Sequence, residues 1–190
     1  MSRVVVSTED PEIGGVSAQW GAEVVWRPPT LSGDTVTSES ALLHALTYLR
    51  DTEGYEPELI VFLQCTSPIR TSHDIDAAVQ TLRDQEADSL LSVVPSHRFL
   101  WRQVNGRPEA VNYNYHQRPR RQDRAPDYLE NGSIYVFKPW VLREYNNRLG
   151  GKIAFYVMGF WSQFDIDDPE DLTIVEQILV LREASRQRGR

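Results

Sequence analysis

The feature that most constrains this chain is an alternation, over its first half, of short apolar runs with stretches of helical periodicity. Val4-Val5-Val6 runs into Ser7-Thr8-Glu9-Asp10-Pro11, as a buried strand followed by a polar loop does. Residues 11 to 20 read as helix, stopped by Gly21. Glu23 to Trp26 predicts a second strand, ended by Pro28-Pro29. Thr37 or Ser38 can cap a helix whose apolar face is Ala41, Leu42, Ala45, Leu46 and Leu49. Leu59 to Leu63 is a continuous apolar run, which predicts a central parallel strand. Thr71 to Asp74 resembles a capping box, and Ile75, Ala78, Val79 and Leu82 follow at helical spacing. Ser89 to Val94 predicts another strand. Such alternation implies an α/β fold with a parallel sheet and helices on its faces. Ligands of such sheets bind beyond the carboxyl ends of the strands, so Ser7-Thr8, Gln64 to Arg70 and the chain from Pro95 onward should share one rim.

From about residue 96 to 128 the apolar periodicity fades, and aromatic and arginine residues crowd together. This predicts an excursion from the core, a lid or an oligomer arm. Gly132 to Phe137 and Lys152 to Met158 return as strands. Asp168 caps a last helix, with Pro169 in its first turn and Glu170 and Asp171 suiting its dipole. Residues 1–190 read as a single domain.

Composition removes several function classes. The formal net charge is -7, against the sign of a nucleic-acid binder. No apolar run approaches the ~20 residues of a membrane span, and the N-terminus lacks the order of a signal peptide. One cysteine, Cys65, permits no disulfide within the chain and reads as a buried, inert thiol. A cytoplasmic protein is the expectation. The four histidines show no metal-ligand spacing, and the absence of G-x-G-x-x-G argues against a dinucleotide dehydrogenase.

Five segments carry polar chemistry. Leu63-Gln64-Cys65-Thr66-Ser67-Pro68-Ile69-Arg70 is either a plain strand-to-helix turn or a rim presenting Gln64, Thr66, Ser67 and Arg70 to a ligand. In Asp165-Ile166-Asp167-Asp168, residues two apart share a face, so Asp165 and Asp167 project together with Ile166 turned inward. Paired carboxylates repel unless a cation intervenes, and oxygen ligands of this kind suit Mg²⁺. A helix N-cap cluster would explain Asp168 and leave Asp165 without a role. Arg27, Asp34 and Ser38 lie in a segment that offers a cation and hydroxyls near a helix start, where anions bind; a solvent loop before a capped helix accounts for it equally. Arg118 to Arg124 holds four arginines, which suit a solvated face or a carboxylate or phosphate ligand. Asn131-Gly132 predicts a tight turn into a strand, with Asn131 free to face a ligand.

Together these segments resemble the acylneuraminate cytidylyltransferases, the CMP-sialic acid synthetases. The resemblance rests on VVVSTEDPEI, GAEVVWRPPTLSGDT, LQCTSPIRTSHDID, the RRQ…YLENGSIYVF stretch, GGKIAFYVM and DIDDPEDL, and it covers nearly the whole chain. It implies a Rossmann-like three-layer nucleotidyltransferase fold of the nucleotide-diphospho-sugar transferase type, mostly parallel, with a small dimerisation arm. It implies transfer of CMP from CTP to the anomeric hydroxyl of a nine-carbon 2-keto sugar acid (a nonulosonic acid), with release of pyrophosphate. Asp165 and Asp167 would hold Mg²⁺, and Arg121 would act with them near the sugar or phosphates. Gln64, Tyr135, Thr66, Ser67, Arg70 and Asn131 would face the sugar, and Arg27, Asp34 and Ser38 the nucleotide. A homodimer is implied, with no nucleic-acid or membrane partner.

The chain departs from the family pattern in two ways. Cys65 stands where the family has proline. By comparison with the family, Met1 falls just before the second strand, so the first strand, a Gly/Ser/Lys/Arg loop and the first helix are expected to be absent, about one α/β unit of ~30 residues or more. An unpaired strand edge follows from that expectation. It keeps open a catalytically incomplete binding or regulatory module, or one half of a two-chain enzyme.

Overall fold

The computed structural model describes residues 3–33 and 35–188, with side chains through residue 184. Asp34 lies outside the described residues. In chain order the elements are β1 (Val5–Thr8), α1 (Pro11–Gln19), β2 (Glu23–Trp26), α2 (Ser38–Glu53), β3 (Ile60–Phe62), α3 (Ser72–Asp84), β4 (Ser89–Ser96), β5 (Trp101–Val104), β6 (Arg107–Ala110), β7 (Asp127–Phe137), α4 (Pro139–Tyr145), β8 (Ile153–Val157) and α5 (Pro169–Arg188).

Local chemistry explains where the helices begin. Asp10 Oδ1 accepts from the amides of Glu12 and Ile13 at 2.7 and 3.0 Å, and Pro11 occupies the first turn of α1. Thr37, rather than Ser38, caps α2. Thr71 and Asp74 form a reciprocal capping box at α3. The first turn of α5 is closed by Asp171, whose Oδ2 accepts from the amides of Asp167 and Asp168 at 3.1 and 3.0 Å. The expected Asp168 cap is thereby supplied from inside the helix.

The strands form a parallel pair, β1–β2, a four-stranded sheet ordered β3-β7-β4-β8, and the β5–β6 hairpin. β7 runs antiparallel to β3 and β4, whereas β4 and β8 are parallel. Thus β3, β4 and β8 point one way and β7 alone is reversed. Among the described residues, β1 and β3 each have one strand partner.

The run Leu59–Leu63 is therefore not a central parallel strand. It ends the four-stranded sheet and pairs antiparallel with β7. Its apolar character comes from coverage on both faces. Leu59, Val61 and Leu63 pack with Ile75, Ala78, Val79 and Leu82 of α3. Ile60 and Phe62 pack with Leu42, Leu43 and Leu46 of α2 and Leu142 of α4. This gives three layers, α3, sheet, and α2 with α4. Leu90, Ile134, Val136 and Phe137 are fully enclosed between them, each side chain contributing about 1.5–3 kcal/mol by burial.

The excursion after β4 contains the β5–β6 hairpin, closed at Asn105-Gly106. Arg118 lies 4.4 Å over the ring of Phe99, and Arg124 pairs with Asp127 where β7 begins. Leu100, Trp101, Val111 and Tyr115 of this arm remain exposed.

Candidate functional site

The geometry of the rim is set by an irregularity between β4 and β7. Leu91 pairs with Tyr135 and Val93 with Glu130, so Ser92 alone faces residues 131–134. Asn131-Gly132 is thus a bulge inside a long strand, not a turn into one. The bulge presses the backbone of Gly132 against the segment that follows β3. A Cβ at Gly132 would meet Gln64 Oε1 at 2.5 Å and Ser67 Oγ at 3.0 Å. The sequence signal for this close approach is the glycine, and turn composition does not reveal the extra residues of the bulge.

Asn131 is 4% exposed, and its amide is engaged inside the protein. Its Oδ1 accepts from Ser92 Oγ at 2.6 Å, and its Nδ2 donates to Ser162 O at 2.9 Å. It builds the bulge instead of facing a ligand. Arg70 is likewise turned inward. Its Nη1 donates to the carbonyls of Ser67, Gln64 and Ser133 at 2.6, 3.1 and 3.1 Å, and burial lowers its pKa from the usual guanidinium value. Ser67 is itself buried. Arg70 and Ser67 therefore shape the loop that carries Gln64 and Thr66, which are half-buried and exposed respectively. Cys65 between them is exposed, not buried: it tops a loop whose neighbours Ser67 and Ile69 take the inward positions.

The acidic segment joins the same rim. The amide of Ile166 donates to Thr66 O at 2.8 Å, and Ile166 packs with Ile69, Val175, Ile178 and Phe164. With Ile166 turned in, Asp165 and Asp167 on either side of it are exposed. No group of three or more His, Cys, Asp or Glu side chains able to hold a metal occurs among the described residues. Two exposed carboxylates flanking an anchored residue fit Mg²⁺ of the kind that keeps several waters and bridges to phosphates.

Tyr135, three residues past the bulge, stacks on Phe62 with centroids 5.9 Å apart. Its hydroxyl donates to Glu130 Oε1 at 2.5 Å. Burial, then this bond to a carboxylate, raises its pKa above the ordinary phenol value. Glu130, Arg148 and Glu39 surround this tyrosine and had no signal in the sequence beyond the position of Glu130 beside Asn131.

The residues expected near the nucleotide lie on other elements. Arg27 follows β2, where its Nη2 meets Glu9 Oε2 at 2.5 Å and its Nε is buried without a protein acceptor. Ser38 is the first residue of α2. Arg121 is exposed in the arm, and among the described residues it makes no hydrogen bond or ion pair. The rim thus gathers Gln64, Thr66, Asp165 and Asp167, with Ser67 and Tyr135 buried behind it, and leaves Arg27, Ser38 and Arg121 in separate segments.

This architecture is that of the nucleotidyltransferases. CMP:2-keto-3-deoxy-manno-octonic acid synthetase, solved in complex with CTP, superposes with a TM-score of 0.65 over 96% of this chain and 82% of its own, at 16% identity. 4-Diphosphocytidyl-2C-methyl-D-erythritol synthase superposes with a TM-score of 0.64 over 94% and 83%, also at 16% identity. At that identity the likeness concerns the fold. A profile described as cytidylyltransferase matches residues 1–187, and the chain belongs to that family. N-acylneuraminate cytidylyltransferase B of Danio rerio is 37% identical over 180 residues, 92% of this chain and 41% of that protein. Its form A is 35% identical over 178 residues, 92% of this chain and 40% of that protein. The post-translational flagellin modification protein B of Campylobacter coli is 29% identical over 93% of this chain and 76% of its own length. The chain spans about two fifths of the length of the fish relatives.

Proposed function

We propose that this chain carries out, or forms the core of a protein that carries out, transfer of CMP from CTP to the anomeric hydroxyl of a nonulosonic acid. The single observation behind this reading is the convergence of Gln64, Thr66 and the Asp165–Asp167 pair on one rim, in a chain related to N-acylneuraminate cytidylyltransferases. In the reaction the hydroxyl oxygen bonds to the α-phosphorus, the bond from that phosphorus to the bridging oxygen breaks, pyrophosphate leaves, and the hydroxyl proton is released. Such a transfer is catalysed mostly by positioning and by neutralising phosphate charge.

The residues divide the work. Gln64 offers both a donor and an acceptor to the hydroxyls of the sugar, braced by Gly132 and Ser67 behind it. Tyr135, 3% exposed beneath Arg148, backs the sugar site from within. Asp165 and Asp167 would hold Mg²⁺, which supplies charge neutralisation at the triphosphate. Arg27, Ser38 and Asp34 are proposed to border the nucleotide, and Arg121, carried on the arm, to reach the site of a partner copy in a homodimer. One cysteine fits a cytoplasmic setting, and no helix among the described residues is long and apolar enough to cross a membrane.

The pairing of Arg27 with Glu9 favours a second reading, a sugar-acid-binding module without turnover, because it neutralises a cation expected at the nucleotide. Pyrophosphate release with CTP, Mg²⁺ and a panel of nonulosonic acids separates the two. Release that depends on one acid supports the transferase and names its substrate. No release by folded protein that still binds an acid overturns turnover by this chain alone and leaves the binding module or the core of a longer enzyme.

A further inference from the structure

Arg148 sits in the loop between α4 and β8, and its guanidinium lies over two aromatic rings, 4.5 Å from the centroid of Tyr135 and 5.3 Å from that of Phe62. Its Nε stands 3.3 Å from Glu39 Oε1, with the two side chains only 21% and 13% exposed. Its Nη1 is buried and meets no protein acceptor. Tyr135 is consequently held at two points, its hydroxyl by Glu130 and its ring face by Arg148. Arg148 is in turn tied by Glu39 to the first turn of α2.

We propose that Arg148 is a positioning residue for the sugar-acid side of the site, fixing the ring of Tyr135, with Glu39 fixing Arg148. The inference rests on the reading of Tyr135, 3% exposed beneath Arg148, as part of the wall that backs the sugar site. A planar guanidinium stacked on two rings restrains their tilt, which a lysine ammonium on a flexible stem does not. Small displacements of a group that orients a substrate cost binding and rate well beyond the size of the movement. The competing account is an ion pair that merely fastens α2 to the sheet. Because Glu39 adjoins Ser38, that account predicts weakened binding of CTP and sugar acid alike.

The test is calorimetric titration of the full chain with N-acetylneuraminic, legionaminic and pseudaminic acids, and separately with CTP and Mg²⁺. The variants are Tyr135→Leu, Arg148→Met, Arg148→Lys and the double variant Tyr135→Leu/Arg148→Met. For the acid that wild type binds best, Tyr135→Leu and Arg148→Met each raise Kd at least tenfold, the double variant is no worse than Tyr135→Leu, and Arg148→Lys stays within threefold of Arg148→Met. The Kd for CTP moves less than twofold throughout. If Arg148→Met does not fold, Arg148→Lys and Glu39→Gln carry the same comparison. Unchanged acid binding in the arginine variants, additive losses in the double variant, or equal losses for CTP overturn the proposal. If Tyr135→Leu leaves acid binding unchanged, or wild type binds none of the three acids, the sugar-site reading fails and this proposal with it.

Discussion

Gly132 approaches Gln64 so closely that a Cβ on the glycine would stand 2.5 Å from Gln64 Oε1. Its φ of +65° is a second obstacle to any side chain. Gly132→Ala is expected to lose about 1–3 kcal/mol of stability from backbone strain and to push Gln64 out of position at the rim. Urea unfolding measures the first effect and sugar-acid binding the second. Adding Gln64→Ala removes the clash but not the strain, so the alanine at 132 should cost less in that background. An equal cost in both backgrounds would show that the close approach carries no energy.

Arg70 tests whether the loop after β3 is built from within. One guanidinium nitrogen serves three carbonyls, from Gln64, Ser67 and Ser133. Arg70→Met leaves those carbonyls without a charged donor in a largely enclosed setting and should destabilise by about 2–3 kcal/mol. Arg70→Lys should recover part of that loss, since all three bonds come from one nitrogen and an ammonium carries three donors. If both variants melt like wild type while sugar-acid binding collapses, Arg70 faces the ligand after all.

Acid should unfold the protein partly through Asp74 and Asp88. At Asp74 burial works to raise the pKa, but hydrogen bonds from Thr71 and Tyr156 outweigh it and the net shift is downward. Tyr156, half-buried beside that carboxylate, is pushed up to about 12. Asp88 is lowered chiefly by Lys138 Nζ at 2.8 Å, then by the amide of Lys152 at 2.9 Å. A carboxyl with a lower pKa folded than unfolded contributes stability that is complete above its ordinary pKa, about 4, and is lost as pH falls toward the folded value. The urea midpoint should therefore drop below about pH 4. Asp88→Asn should be less stable than wild type at neutral pH and show a flatter decline. A parallel decline in the variant would remove Asp88 from the account.

What the sequence made legible was mostly local. The Thr71–Asp74 capping box and the apolar positions of α3 needed only the spacing of neighbours. The inward Ile166 between outward Asp165 and Asp167 followed from strand alternation. Longer-range order was not legible. The run at β3 fits a central or an edge strand equally, because helices cover both of its faces, and its neighbour β7 arrives from the arm in the opposite direction. Asn131-Gly132 has the composition of a turn, and only the pairing of β4 with β7 makes it a bulge. Arg70 looked like a ligand-binding cation because its three carbonyl partners include one 63 positions away. Arg148 belongs to no motif, and its rings come from two different strands.

Asp165 and Asp167 distinguish a metal site from a helix cap by the sign of a stability change. Both are exposed beside the anchored Ile166, and the amides of Asp167 and Asp168 are already capped by Asp171. If the pair holds Mg²⁺, then without metal the two carboxylates only repel each other. Asp165→Asn should then leave the metal-free melting temperature unchanged or raise it. The same variant should abolish any stabilisation by Mg²⁺ with CTP and lower the rate of pyrophosphate release at least a hundredfold, a loss of about 2.7 kcal/mol in transition-state binding. Asp171→Ala is the contrasting change. It removes the acceptor for two amides and should cost about 1 kcal/mol with or without Mg²⁺. A metal-free destabilisation by Asp165→Asn as large as that from Asp171→Ala, with the Mg²⁺ response intact, would assign the acidic segment to the helix and not to the metal.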